Sequence, residues 1–262
     1  MIPQAFITEW LEFAPWLELK QVEQDLIIST ALIKLYSSSI LRESLAFRGG
    51  TALNKLIFKP ACRYSEDIDL VQITGEPIGP TIDLINEIMN PWLGKPKRKF
   101  AKNCVVLEYR TISEDGFPIR LKFEINVRKH FSVMGFKEVE YSSISSWYPG
   151  KVLIKTYHLE ELLGTKLRAL YQRRKGRDLY DIYMALTKIK DINREVIIHC
   201  FKKYLEYENL HVSPKIFVEN MEIKVTDKEF REDILPLLAK KDKHFDPDIA
   251  LQLIKKELLE RL

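Results

Sequence analysis

The stretch that decides the fold is FRGGTALNKLIFKPACRYSEDIDL, residues 47–70. It opens on a glycine pair and closes on two aspartates, Asp67 and Asp69, one residue apart. Gly49 and Gly50 permit a tight turn and close backbone approach, Thr51 suits a helix N-cap, and ALNKLIF has helix-forming composition. A helix start presents free N–H groups and a positive dipole end, an arrangement able to hold a triphosphate. The same pattern also serves as a plain structural cap. At the other end, Ile68 and Leu70 alternate with Asp67 and Asp69 as in a strand over residues 65–73. Residues i and i+2 of a strand project from one face about 6 to 7 Å apart, so the two carboxylates stand side by side. Such a pair repels itself unless a cation intervenes. Mg²⁺ takes carboxylate oxygens and keeps positions for water and phosphate, which makes the pair a metal platform; the alternative is a strand end with two solvated acids.

Working outward, residues 18–37 carry Leu19, Val22, Leu26, Ile27 and Ile33 at helical spacing, which predicts an amphipathic helix followed by a shorter one through ILRESLAF. Downstream, TGEPIGP is a turn and TIDLINEIMNPWL a helix stopped near Pro91. CVVLEYRTI and IRLKFEINV, parted by SEDGFP, predict a hairpin beside the first strand. In the second of these, Leu121, Phe123, Ile125 and Val127 form the apolar face and Lys122, Glu124 and Asn126 the polar one. Glu124 is then either a third carboxylate, able to bind metal or accept a hydroxyl proton, or an exposed strand residue.

Beyond residue 151 the pattern turns helical, in HLEELLGTKLRALYQRRK, RDLYDIYMALTKI, REVIIHCFKKYLEY and DIALQLIKKELLERL. The expected architecture is α+β: a mixed sheet with flanking helices over residues 1–150, then a helical domain over 151–262. Lys166 falls on the apolar stripe of Leu159, Leu162, Leu163 and Leu170. Either its stem packs while the ammonium snorkels outward, or it points into a site as a phosphate-binding charge. Asp178 and Asp181 have the spacing of an N-cap and an acidic N3 residue, and equally could project toward Lys166 and orient it. Two basic clusters, around Lys97, Arg98 and Lys99 and around Arg173, Arg174, Lys175 and Arg177, are either solvated faces or contacts for a phosphate backbone.

Composition adds bounds. The chain has 262 residues, 46% of them hydrophobic, and a net charge of +4, a weak hint of an anionic partner. No apolar run approaches a membrane span and the N-terminus lacks the basic start of a signal peptide, so a cytoplasmic protein without a membrane partner is expected. Cys62, Cys104 and Cys200 are odd in number and far apart, without CxxC spacing, which predicts reduced buried thiols.

Taken together and in order, FRGGTALNK, RYSEDIDL, KFEINV, EELLGTKLRAL and GRDLYD resemble the AbiEii toxin family, MenT-like tRNA nucleotidyltransferase toxins among them, which looks like a minimal branch of the DNA polymerase beta superfamily. The resemblance runs from about residue 14 to about residue 190. The superfamily more often shows Gly-Ser and a shorter gap to the aspartates; here Gly-Gly is followed by sixteen residues, 51–66, a spacing that looks like the toxin branch. The resemblance implies Mg²⁺ (or Mn²⁺) on Asp67 and Asp69; the strand reading adds Glu124 as third ligand or base. The resemblance also implies NTP phosphates on Gly50 and Thr51; the nucleotide-binding set expected around them is Arg48, Gly49, Gly50, Thr51, Lys55, Ser65 and Lys166, with Arg48, Arg63 and Ser65 supporting the loop or contacting the nucleotide. Lys166 and the acids Asp178 and Asp181 would complete the site. It implies an antitoxin partner, and transfer of NMP from NTP to an acceptor such as the 3′ end of tRNA. The rival readings are a silent nucleotide- or RNA-binding module, and a nucleotidyltransferase acting on a protein or small molecule.

Overall fold

The computed structural model describes residues 2–101, 103–239 and 245–262. The chain divides into two units, the first running through Tyr157 and the second comprising His158–Leu262.

In the first unit, α1 (Gln4–Trp10) precedes α2 (Leu19–Ser37), whose start is closed by a capping box between Glu18 and Gln21. The expected amphipathic face of α2 is not observed: every residue from Gln21 to Ile33 is buried. Its polar positions are compensated internally. Gln24 Nε2 donates to Glu66 O (3.2 Å) and Arg120 O (2.8 Å), and Asp25 accepts from Trp10 Nε1 (2.8 Å) and Lys55 Nζ (2.5 Å). The second expected helix stops early, as α3 (Ser39–Ser44), and Leu45–Arg48 forms strand β1. Leu45, Ala46 and Phe47 are fully buried there, and pairing on both sides of the strand overrides their helical propensity.

The glycine pair opens α4 (Gly49–Ala52), continued by a π-helical turn, Leu53–Ile57, and then comes β2 (Asp67–Gln72). Next, α5 (Gly79–Leu93) passes through Pro91 instead of stopping at it. So near the C-terminus the missing amide forfeits a single helical bond, and Gly94, at φ 75°, closes the helix by donating to Asn90 O. Five strands follow: β3 (Lys97–Ala101), β4 (Cys104–Ile112), β5 (Pro118–Asn126), β6 (Phe136–Ser143) and β7 (Gly150–Tyr157). They join β1 and β2 in one open mixed sheet of order β3-β4-β5-β2-β1-β7-β6. The hairpin β4–β5 lies beside β2 as expected, with β5 parallel to it. One face of the sheet carries Phe47, Ile68, Leu70, Leu107, Phe123 and Ile125, all essentially unexposed. α5 covers this face, its Asn86 accepting a hydrogen bond from Tyr109 on β4. Because β7 pairs with β1 and β6, the first unit extends past residue 150 to Tyr157.

The second unit is helical: α6 (Leu159–Gln172), α7 (Gly176–Lys188), α8 (Arg194–Tyr207), α9 (Pro214–Thr226), α10 (Lys228–Glu232) and α11 (Pro247–Glu257). α6 and α8 approach closely at Gly164, where an added Cβ would lie 2.8 Å from the Cys200 Cβ and 3.0 Å from Ile197 O. Buried Lys224 on α9 donates to Leu170 O (2.5 Å) and Tyr171 O (2.7 Å), satisfying carbonyls that the end of α6 leaves open. Among the described residues, no helix is long and apolar enough to cross a membrane. Cys62 and Cys200 are buried free thiols, whereas Cys104 is only half-buried.

Candidate active site

The register of the sheet assembles the first cluster. β2 pairs with β5 so that Asp69 lies opposite Glu124 and Asp67 opposite Lys122, while β1 places Arg48 opposite Asp69 on the other side. Residues paired across neighbouring strands share a face, so Glu124, Asp69 and Arg48 form one row about 5 Å apart in backbone, and Lys122 and Asp67 the next. All five are half-buried, in contrast to the apolar residues that alternate with them. Lys122 Nζ meets Asp67 at 3.5 Å. The field of the acids extends to Cys104: burial, then the charges of Glu124 and Asp69, push its thiol up to about 11.

The glycine turn is built around these acids. Gly49 has φ 80°, and a Cβ on it would lie 2.1 Å from Asp69 Oδ2, so the carboxylate packs directly on the glycine. A Cβ on Gly50 would lie 2.3 Å from a guanidinium nitrogen of buried Arg63. Thr51 is not the N-cap that its spacing suggests. Arg48 takes that position, and the buried Thr51 hydroxyl donates to Asp67 O (2.5 Å) and pairs with Ser65 Oγ (2.8 Å). Its contacts are those of a residue that fixes the start of β2. Asn54, which sequence reasoning passed over, ties the loop to the turn: it donates to Gly50 O (2.9 Å) and accepts from the amides of Cys62 (2.9 Å) and Arg63 (3.1 Å). Only its place one helical turn after Gly50 hints at this. Lys55, counted with the nucleotide-binding residues, has its ammonium on Asp25 (2.5 Å) and Ser29 Oγ (2.8 Å). Burial disfavours that charge, but Asp25, with Tyr141, more than offsets it and the pKa is raised.

The donor set suits a hard divalent cation, being carboxylate oxygens on one half-exposed face. Among the described residues no three His, Cys, Asp or Glu side chains converge closely enough to form a ligand group as they stand. Rotation of the Asp67, Asp69 and Glu124 side chains about a common cation would be required.

The second unit holds a different constellation. Lys166 is buried, and its ammonium neither snorkels nor stands alone: it lies 2.9 Å from Asp178 Oδ1 and 2.8 Å from Asp181 Oδ2, both acids fully buried. Arg173 adds a bidentate pair to Asp178 at 2.7 and 2.9 Å. Burial alone would raise the Asp178 pKa, but Lys166 and Arg173 hold the carboxyl well below the usual range. Asp178 is not an N-cap, since Lys175 occupies that position.

The basic clusters fare differently. Lys97, Arg98 and Lys99 lie on β3, exposed along its whole length at the edge of the sheet. In the second cluster, Arg173 pairs with Asp178, Arg174 with Asp227 (3.1 Å), and Lys175 (3.3 Å) and Arg177 (3.8 Å) with Asp233. With each cation matched to an acid of its own unit, this segment presents less positive charge than its sequence suggests.

Residues 31–252 match the profile of a family described as nucleotidyl transferase AbiEii toxin, type IV TA system. No protein of curated function matches the sequence. Among solved structures, MenT4, a nucleotidyltransferase toxin from Mycobacterium tuberculosis, superposes with a TM-score of 0.70 at 15% identity, over 100% of this chain and 91% of that one. JHP933 from Helicobacter pylori gives a TM-score of 0.52 at 16% identity, over 94% of this chain and 96% of that one. At these identities the likeness is one of fold.

Proposed function

The chain belongs to the AbiEii family of toxin-antitoxin nucleotidyltransferases, and we propose that it transfers NMP from an NTP to the 3′ end of tRNA with a divalent metal held by Asp67, Asp69 and Glu124. Family membership implies an antitoxin partner and an NTP substrate. The observation that carries the reading is the row of Glu124, Asp69 and Arg48, set on a half-exposed face beside a glycine turn. Mg²⁺ or Mn²⁺ bound there would neutralise phosphate charge and lower the pKa of the attacking hydroxyl. The chain's own residues divide the remaining work. Gly49 and Gly50 let a phosphate approach the backbone closely, with Arg48 adding positive charge beside it and Ser65 Oγ a polar contact. Thr51 and Asn54 hold the turn and the start of β2 in fixed relation, so that Asp67 and Asp69 stay aligned. Glu124, opposite Asp69, is placed to take part in metal binding or to accept the hydroxyl proton.

The test is incubation with each α-labelled NTP, Mg²⁺ and total tRNA. Wild type should label the tRNA fraction, chelation should abolish labelling, and Asp69→Asn should lower the rate on the order of 10³-fold. Labelling by Asp69→Asn at the wild-type rate overturns the mechanism. Label in a protein or small-molecule fraction redirects the acceptor while leaving transfer intact.

A further inference from the structure

We propose that the carboxylate face of the first unit carries a track for the phosphodiester backbone of an RNA acceptor, running from beside Asp67 and Asp69 outward across β5, β4 and β3. The track deepens the transfer reading and rests on it. Strand register decides which cations belong. Lys99 pairs with Val106 on β4, Val106 with Glu124 on β5, and Glu124 with Asp69. Lys97 likewise pairs with Glu108, Glu108 with Lys122, and Lys122 with Asp67. Lys97 and Lys99 therefore stand on the same face as the acids, three strand spacings or about 14 Å from them. The next row along β4 and β5 pairs Arg110 with Arg120, both exposed. Four cations thus flank the acids on one face, with the Glu108 carboxylate among them, 2.6 Å from Arg110 and 3.7 Å from Lys99.

Arg98 and Phe100 alternate onto the opposite face, where the guanidinium lies 4.4 Å from the ring centroid. A competing explanation is that β3 is charged only to protect a sheet edge from pairing with another chain. That accounts for Lys97, Arg98 and Lys99 together, irrespective of face. It does not explain why Arg110 and Arg120, paired with each other on the β4–β5 hairpin beyond the reach of β3, fall on the same face as Lys97 and Lys99. A polyanion crossing the face accounts for all four and leaves Arg98 out.

The experiment measures binding of fluorescein-labelled total tRNA without NTP, at several NaCl concentrations. It compares wild type with Lys99→Glu, Arg110→Glu, Arg120→Glu and Arg98→Glu, each first shown to melt as wild type does. The first three should each weaken binding about 5- to 10-fold and flatten the dependence of log affinity on log salt by about one, with Arg98→Glu within about twofold of wild type. Equal losses for Arg98→Glu and Lys99→Glu would overturn the track in favour of a general edge charge, and so would binding that none of the four alters. Because no NTP is present, a protein incapable of transfer would still show the track. Conversely, undiminished labelling and RNA binding in Lys99→Glu/Arg120→Glu would sink the track while leaving transfer standing.

Discussion

Each unit contains a group of acids, and the two groups are handled in opposite ways. In the helical unit Asp178 and Asp181 are fully buried and neutralised on the spot by Lys166 and Arg173, at 2.7 to 2.9 Å. In the sheet unit Asp67, Asp69 and Glu124 remain half-buried, and Asp67 meets Lys122 only at 3.5 Å, across a contact whose two side chains keep 33% and 30% exposure. A buried charge without partners costs several kcal/mol, so the first arrangement requires internal compensation. A half-exposed carboxylate keeps much of its hydration and can exchange it for an incoming cation. The comparison teaches that acid content alone does not separate a cluster neutralised in the interior from one whose carboxylates stay accessible on a strand pair.

The largest break in this contrast should come from Lys166→Met. It removes the ammonium that both buried carboxylates share, and breaking a buried pair in this way costs about 3 to 5 kcal/mol. Denaturant unfolding should show that loss, while Asp69→Asn, a near-isosteric change at a half-buried strand position, should cost less, about 1 kcal/mol. Equal stability effects of the two would erase the distinction between an acid cluster neutralised in the interior and one left accessible.

The elements most legible in sequence were those whose periodicity is local. The alternation in EDIDL and KFEINV places Asp67, Asp69 and Glu124 on one face correctly, because period-two patterning depends only on neighbours along the chain. That Asp69 lies opposite Glu124 and Arg48 is a matter of register between distant strands, which no single segment encodes. β1 was unreadable for a related reason: LAFR is strand because two partners pair with it. The burial of α2 on all sides was hidden because Asp25 and Ser29 look like a solvent face until Lys55 is found against them. Likewise, Arg173 looked like an RNA contact in a string of basic residues, whereas its guanidinium belongs to Asp178. Polar residues are the hard cases, since their partners are chosen in space.

A smaller break is available on the sheet side. Gly49→Ala adds a methyl group 2.1 Å from Asp69 Oδ2 at a residue with φ 80°. The backbone strain should cost about 1 to 2 kcal/mol in thermal or denaturant unfolding. The displaced Asp69 should lower nucleotide transfer well beyond what that stability loss accounts for. Gly94→Ala, also at positive φ but with open space at its Cβ, provides the control: backbone strain without a side chain to displace, with activity retained. Loss of activity in both would mean that the glycine turn acts through folding, not through the placement of Asp69.

The smallest effect should be the acid limb of stability, and it belongs to the helical side. Asp178 has its folded pKa held well below the ordinary value of 3.8, so the folded state binds its proton less readily than the unfolded state does. The resulting stabilisation is fully present above about pH 5 and is lost as pH falls through 3.8 and below. One proton of difference contributes a slope of at most about 1.4 kcal/mol per pH unit. Asp178→Asn should therefore unfold more easily than wild type at pH 7, yet lose less further stability between pH 5 and pH 3, by about 1 kcal/mol. Unfolding curves collected across that interval would test it. If the variant and wild type fall in parallel, acid sensitivity resides in other carboxylates, and the close pairing of Asp178 with Lys166 and Arg173 is energetically weaker than its geometry indicates.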